Sequence, residues 1–170
     1  MSDISLTTYR SLTSNEQRAA FRCAMEAKGY SAFFAFVEDF RAMLKSYDES
    51  DQQAIGQLLQ RSRADFPDPQ RFSPSWAGIW NEFDNLYAEK NGVMRDIPVQ
   101  ERDGEWQVLI DNPYLPHHVV CYPALAFADA AYSYAYFQKD LKPNELLRLQ
   151  KVSHVLVTSG RKEASMLPDT

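Results

Sequence analysis

The stretch SAFFAFVEDFRAMLKSY, residues 31–47, places Phe33, Phe36, Val37, Phe40, Met43, Leu44 and Tyr47 three and four residues apart. At 3.6 residues per turn these side chains form one continuous stripe along a helix. A stripe this apolar has to be covered by other elements, so it commits the N-terminal half of the chain to a helical group. Its neighbours carry the same signature. TSNEQRAAFRCAMEAKG opens with Ser14 three residues before Gln17, a pairing that satisfies free backbone N–H groups at a helix start. Gly29 then supplies a left-handed stop. A second pair of this kind, Ser50 and Gln53, opens DQQAIGQLLQRSR with Ile55, Leu58 and Leu59 on its inner side. Gly56 within it costs about 1 kcal/mol relative to alanine, which points to a close packing contact there. ADFPDPQRFSPS has three prolines and reads as a loop. SWAGIWNEFDNLYAEKNG follows as a helix with Trp76, Ile79, Trp80, Phe83 and Tyr87 on one face, closed at Asn91-Gly92.

The period then changes. In DIPVQERDGEWQVLID, Ile97 and Val99 alternate with polar residues, as do Trp106, Val108 and Ile110, around Asp103-Gly104. That pair suits a two-residue hairpin turn, which sets Val99 opposite Val108 and Ile97 opposite Ile110. HHVVCYPALAFADAAYSYAYF, residues 117–137, reads as a third strand over 117–122 followed by a buried helix that Pro123 starts and that runs to about Gln138. Pro143 starts a last segment in which Leu146, Leu149, Val152 and Leu156 fit a helix capped by Gly160, while the β-branched VSHVLVT admits a strand. The helix is the favoured reading. The expected architecture is therefore α+β and mostly helical: an N-terminal group of four helices, a small antiparallel hairpin or meander at about 95–122, and a central buried helix. Residues 1–160 form one domain and 161–170 a flexible tail.

A chain of 170 residues with 45% hydrophobic content can bury a core without help from disulfides or metals. Its 23 acids outnumber its 18 Lys and Arg, for a net charge of -5. The bases are scattered, which argues against nucleic acid, whose binding depends on clustered Lys and Arg. MSDISLTTYRSL has no apolar core of the kind a secretion signal needs. A reducing cytoplasmic setting with Cys23 and Cys121 both free is the expectation.

Four candidate sites fall within or near the 117–137 segment. His118 and Cys121 make only half of a zinc site, and an extended strand holds His117 and Cys121 roughly 13 Å apart, so no metal or cofactor is expected. Cys121 as a nucleophile needs a base within hydrogen-bond reach, and only His154 could be brought there by the fold. A membrane span is disfavoured by Asp129 at the segment's centre. Asp129 itself is expected to be partly buried and satisfied by the hydroxyls of Tyr132, Ser133 and Tyr136. Phosphate loops, nucleophile elbows, zincin motifs and calcium loops are absent from the sequence.

These exclusions favour a non-enzymatic binding protein, of the inhibitor or immunity type, that docks a basic protein partner. Asp48, Glu49 and Asp51, with Glu82 and Glu89, are the residues expected to steer such a partner. Phe66 and Phe72 in the proline-rich loop are the candidate anchors. The alternative is a small enzyme or ligand binder with a pocket around Cys121, His118, Asp129 and His154. A third possibility is a helical oligomer held together by the aromatic stripes.

Overall fold

The computed structural model describes residues 3–115 and 119–158, with Val119 described through its backbone alone. Five helices precede the sheet: α1 (Leu6–Ser11), α2 (Asn15–Lys28), α3 (Tyr30–Ser46), α4 (Gln52–Asp65) and α5 (Ile79–Asp96). The short α1, capped by the Ser5 hydroxyl, adds one helix to the four anticipated. Strand β1 (Glu105–Asp111), strand β2 (Val119–Leu125), helix α6 (Phe127–Gln138) and strand β3 (Leu146–Val152) complete the order.

Helix α3 is the axis of the helical group. Phe33, Phe36, Val37, Phe40 and Leu44 have no solvent exposure, and each ring of the stripe meets an aromatic from elsewhere in the chain. Tyr9 of α1 meets Phe36 edge-on at 5.4 Å. Phe72 stacks on Phe33 at 4.2 Å. Trp80 and Phe83 of α5 lie 5.5 and 5.7 Å from Phe40. Such ring pairs add specific geometry to the area they bury, and the stripes are thereby used up inside one chain. The proline-rich loop is part of this core. Phe66 is 2% exposed, and its carbonyl accepts the Trp80 indole N–H at 2.8 Å.

The helix ends are tied by cations from other elements. The Arg61 guanidinium donates to the Tyr9 and Leu12 carbonyls at the end of α1 and lies 4.8 Å from the Tyr9 ring centre. Arg22 donates to the Asp65 carbonyl that ends α4. Tyr9 in turn donates its hydroxyl to the Asp65 carboxylate, which pairs with Arg18 at 3.0 Å. Burial, and then the bond to Asp65, raise the Tyr9 pKa to about 12.

The sheet is antiparallel with the order β2-β1-β3. Its hairpin is not the one that the alternation at 97–110 suggests. Helix α5 passes through Asn91-Gly92 to Asp96, and Val99–Glu101 is a single 3₁₀ turn. Pro98 weighs against a strand there, having no N–H for a ladder. Arg102 closes the helix end instead, donating to the Met94 and Ile97 carbonyls. Asp103-Gly104 then admits the chain to β1, with Gly104 at φ 77° and the Asp103 carboxylate held by Lys151 at 2.5 Å.

Pro123 lies in β2 rather than at a helix start. The β1–β2 register slips by one between Trp106↔Leu125 and Val108↔Tyr122, and Ala124 takes up the slip with φ 56°. A bulge on an edge strand is where proline is tolerated, so α6 begins only at Phe127. The segment after Pro143 is strand β3, not a helix. Its spacing suits both periods, and the free side of β1 decides between them. Residues 153–158 are irregular. The proposed Gly160 cap and the 161–170 tail lie outside the described residues. Helix α6 is the central element expected. It buries Phe127, Ala130, Ala131 and Ala135 between α3, α5 and the inner face of the sheet.

Gly56 has the contact its position implies: a Cβ there would lie 2.6 Å from the Tyr87 hydroxyl, which donates to the Gln52 carbonyl at 2.9 Å. Gly56→Ala should therefore destabilise the protein by about 1–2 kcal/mol in urea unfolding, although alanine is the better helix former. Adding Tyr87→Phe should recover part of that loss.

Candidate functional site

One residue on the inner stripe of α5 is charged. Lys90 follows Leu86 and precedes Met94 at helical spacing, and it is fully buried. Its ammonium donates to the carbonyls of Leu44 at 2.7 Å and Lys45 at 2.9 Å, and it sits 4.0 Å from the Tyr47 ring centre. Those carbonyls belong to the last turn of α3, where the helix has no partners of its own for them and carries a partial negative charge. Two carbonyls and an aromatic face thus receive the three N–H directions of the ammonium. Burial pulls the Lys90 pKa down to about 7, with Asp129 and then Asp48 opposing the drop. The Tyr47 hydroxyl donates to Asn91 at 2.6 Å, and burial raises its pKa.

About one turn further along α5, a cleft of about 490 Å³ opens. Its floor is Met94, Val99, Phe127 and Ala128, and its lip carries Asp48, Glu49 and Ser50. Arg102 forms one wall. The guanidinium binds Glu49 at 2.8 Å and lies 5.2 Å from the Phe127 ring centre, so its charge is balanced within the wall. Asp48 accepts from the Ser50 N–H at 2.9 Å. Its bonds to Ser50, the side-chain hydroxyl first, hold its pKa below the usual carboxylate range. Asp51 is exposed beside these groups at the start of α4. The cleft therefore combines an apolar floor with an anionic lip.

The residues singled out in the sequence are dispersed. Asp48 and Glu49 line the cleft, with Asp51 near it. Glu82 and Glu89 line a different groove with Asn85, Ala135 and Lys139, where Glu82 pairs with Lys139 at 3.7 Å. Phe66 is in the core and Phe72 is half-buried against Phe33, so neither is an exposed anchor. The reason is that the proline-rich loop closes over α3 instead of standing clear of it.

Cys121 is exposed, as is Cys23, and both thiols are free. Cys121 pairs across the sheet with Leu109 and Tyr122 with Val108, so the two side chains take opposite faces. Tyr122 stacks on Phe137 of α6 at 4.8 Å, which assigns Cys121 to the face away from α6. Asp129 is half-buried on α6, on the other side of the sheet. Ser133 donates to the Asp129 backbone carbonyl at 2.8 Å, not to its carboxylate. His154 is exposed and contacts Ser153, and His118 lies outside the described residues. No group of three His, Cys, Asp or Glu that could hold a metal occurs among the described residues. No helix among them is long and apolar enough to cross a membrane.

Lys90 does not stand out in the sequence, because Asn91-Gly92 reads as the helix end; with α5 running to Asp96 the charge stands at helical spacing between Leu86 and Met94. The cleft floor was not legible either, since Met94, Val99 and Phe127 meet only through the fold. Compared with models of known protein families, curated proteins and solved structures, the chain matches none.

The Lys90 pKa is lower in the folded chain than in the unfolded one, where lysine titrates near its model value of 10.5. Between about 7 and 10.5 the unfolded chain binds the extra proton, so stability rises with pH over that window, and below 7 the full cost of burying the charge is felt. Urea unfolding from pH 7 to 9.5, below the range of the buried tyrosines, should show a slope approaching 1.4 kcal/mol per pH unit. Lys90→Met should flatten that slope relative to the parent.

Proposed function

We infer that this chain is a non-enzymatic binding protein that docks a basic protein partner, using the cleft between the Glu49–Asp51 turn, the end of α5 and the start of α6. The observation that carries this reading is the pairing of an apolar floor with carboxylates at its lip. A partner side chain with a hydrocarbon body and a cationic end, such as an arginine or lysine beside a leucine or phenylalanine, meets both parts at once. Asp48 and Glu49 are already fixed by Ser50 and Arg102, so little order has to be gained on binding. Asp51 adds negative charge on the approach side. Glu82 and Glu89 lie along another groove and serve steering rather than contact. The pocket around Cys121, Asp129 and His154 is not favoured, because the sheet separates the first two.

Titration with short peptides carrying one bulky apolar residue flanked by lysines or arginines tests the proposal. Amide NMR shifts should cluster at Glu49, Val99 and Ala128. Glu49→Lys with Asp51→Lys should weaken binding by at least about tenfold at low salt, and less at high salt. Shifts confined to other surfaces, or affinity indifferent to the two reversals, would remove the cleft as the docking site.

A further inference from the structure

The two outer edges of the sheet are built differently. On β2 the bulge, Pro123 and the left-handed Ala124 interrupt the edge, features that discourage another strand from adding there. On β3 the pairing with β1 is regular from Leu146 to Val152, and among the described residues nothing pairs with its outer side. The charges of β3 do not guard that edge, because each is turned toward β1. Lys151 binds Asp103 and the Glu101 carbonyl, and Arg148 pairs with Asp111 at 3.4 Å. Directly after β3 the chain runs on through Val155, Leu156 and Val157, which are 64%, 98% and 85% exposed. An apolar run of two valines and a leucine left in solvent beside an open strand edge is an association site.

We propose that two copies of this chain pair through this edge, residues 146–158 of one lying antiparallel to residues 146–158 of the other, with Val152 at the two-fold axis. The alternation of the sequence selects this register. Leu149 and Leu147, on the face covered by α6, then stand opposite Val155 and Val157 of the second copy. On the other face Gln150 meets His154 and Val152 meets its own counterpart. Arg148 meets Leu156, where its aliphatic stem covers the leucine. Centring the pair on Leu149 instead would set Val155 against Pro143 and leave its apolar surface unmatched. Both copies keep α6 on the same side, so the sheet continues across the axis in the order β2-β1-β3-β3-β1-β2. This interface uses no part of the cleft and stands independently of the function proposed for it.

Sedimentation velocity across the micromolar range, with disulfide trapping, tests the assembly. The parent protein should sediment as a dimer. Val155→Lys with Val157→Lys should yield a folded monomer whose thermal unfolding stays cooperative and no longer depends on protein concentration, whereas the parent's midpoint rises with concentration, since both side chains are exposed in a single copy. In a Cys23→Ser, Cys121→Ser background, Val152→Cys should crosslink two chains on oxidation, because antiparallel neighbours lie within disulfide range. A monomeric parent, a dimer that survives the paired lysines, or crosslinking at Leu149→Cys in place of Val152→Cys would each overturn the proposal.

Discussion

The helical group depends on N–H donors brought to helix C-termini by long basic side chains from elsewhere in the chain. A helix ends with carbonyls that have no partner within it and with a concentration of partial negative charge. In a compact bundle of short helices such ends come to lie against neighbouring elements, three of them here part-buried and that of α3 buried. Arg61 serves α1, Lys90 serves α3, Arg22 serves α4 and Arg102 serves α5. In three of the four the cation also lies over an aromatic ring, of Tyr9, Tyr47 or Phe127. Those three side chains therefore satisfy backbone groups, cover aromatic surface and fix the spacing of two elements at once. Removing the Lys90 ammonium would leave carbonyls in a buried site without a donor, a larger loss than that of a surface ion pair.

Two of these ties also shape the cleft. Lys90 locks the end of α3 to α5, and Arg102 locks the end of α5 to the Glu49 turn and to α6. The anionic lip and the apolar floor come from separate segments, and these ties add to the packing of α5 on α6 in holding them at a fixed distance. The charge that closes a helix is thus the same charge that holds Asp48 and Glu49 over Met94 and Phe127. A buried ammonium is expensive to desolvate. Here two carbonyls, a ring and the field of Asp129 and Asp48 offset only part of the cost, and burial still pulls the Lys90 pKa down.

Much of the helical half was legible because its information is local. The stripe from Phe33 to Tyr47 has one sensible period, and Gly56 in a helix needs a neighbour to explain it. The alanines of α6 also announce close packing. The sheet was less legible because short segments satisfy two periods. Ile97 and Val99 alternate like a strand, yet they end a helix whose capping residue, Arg102, comes later in the chain. Leu146, Leu149 and Val152 have a helical spacing while Leu147 and Leu149 alternate as in a strand, and only the vacant side of β1 distinguishes the two. Phe66 and Phe72 looked exposed because their prolines mark a loop, but an aromatic-rich loop beside an open stripe is more stable lying on it. Of the cleft, the acids Asp48 and Glu49 stand out in the sequence, but the floor was not legible, because Met94, Val99 and Phe127 come from separated segments.

Lys90 has one more consequence, for the reactivity of its nitrogen. Burial shifts Lys90 toward its unprotonated, nucleophilic amine, while the same burial keeps reagents in solution away from it. Acylating agents would mark the surface lysines first and reach this one only when the end of α3 lifts away from α5. The rate at which it is labelled would then be a clock for that opening, built into the chain without any added probe.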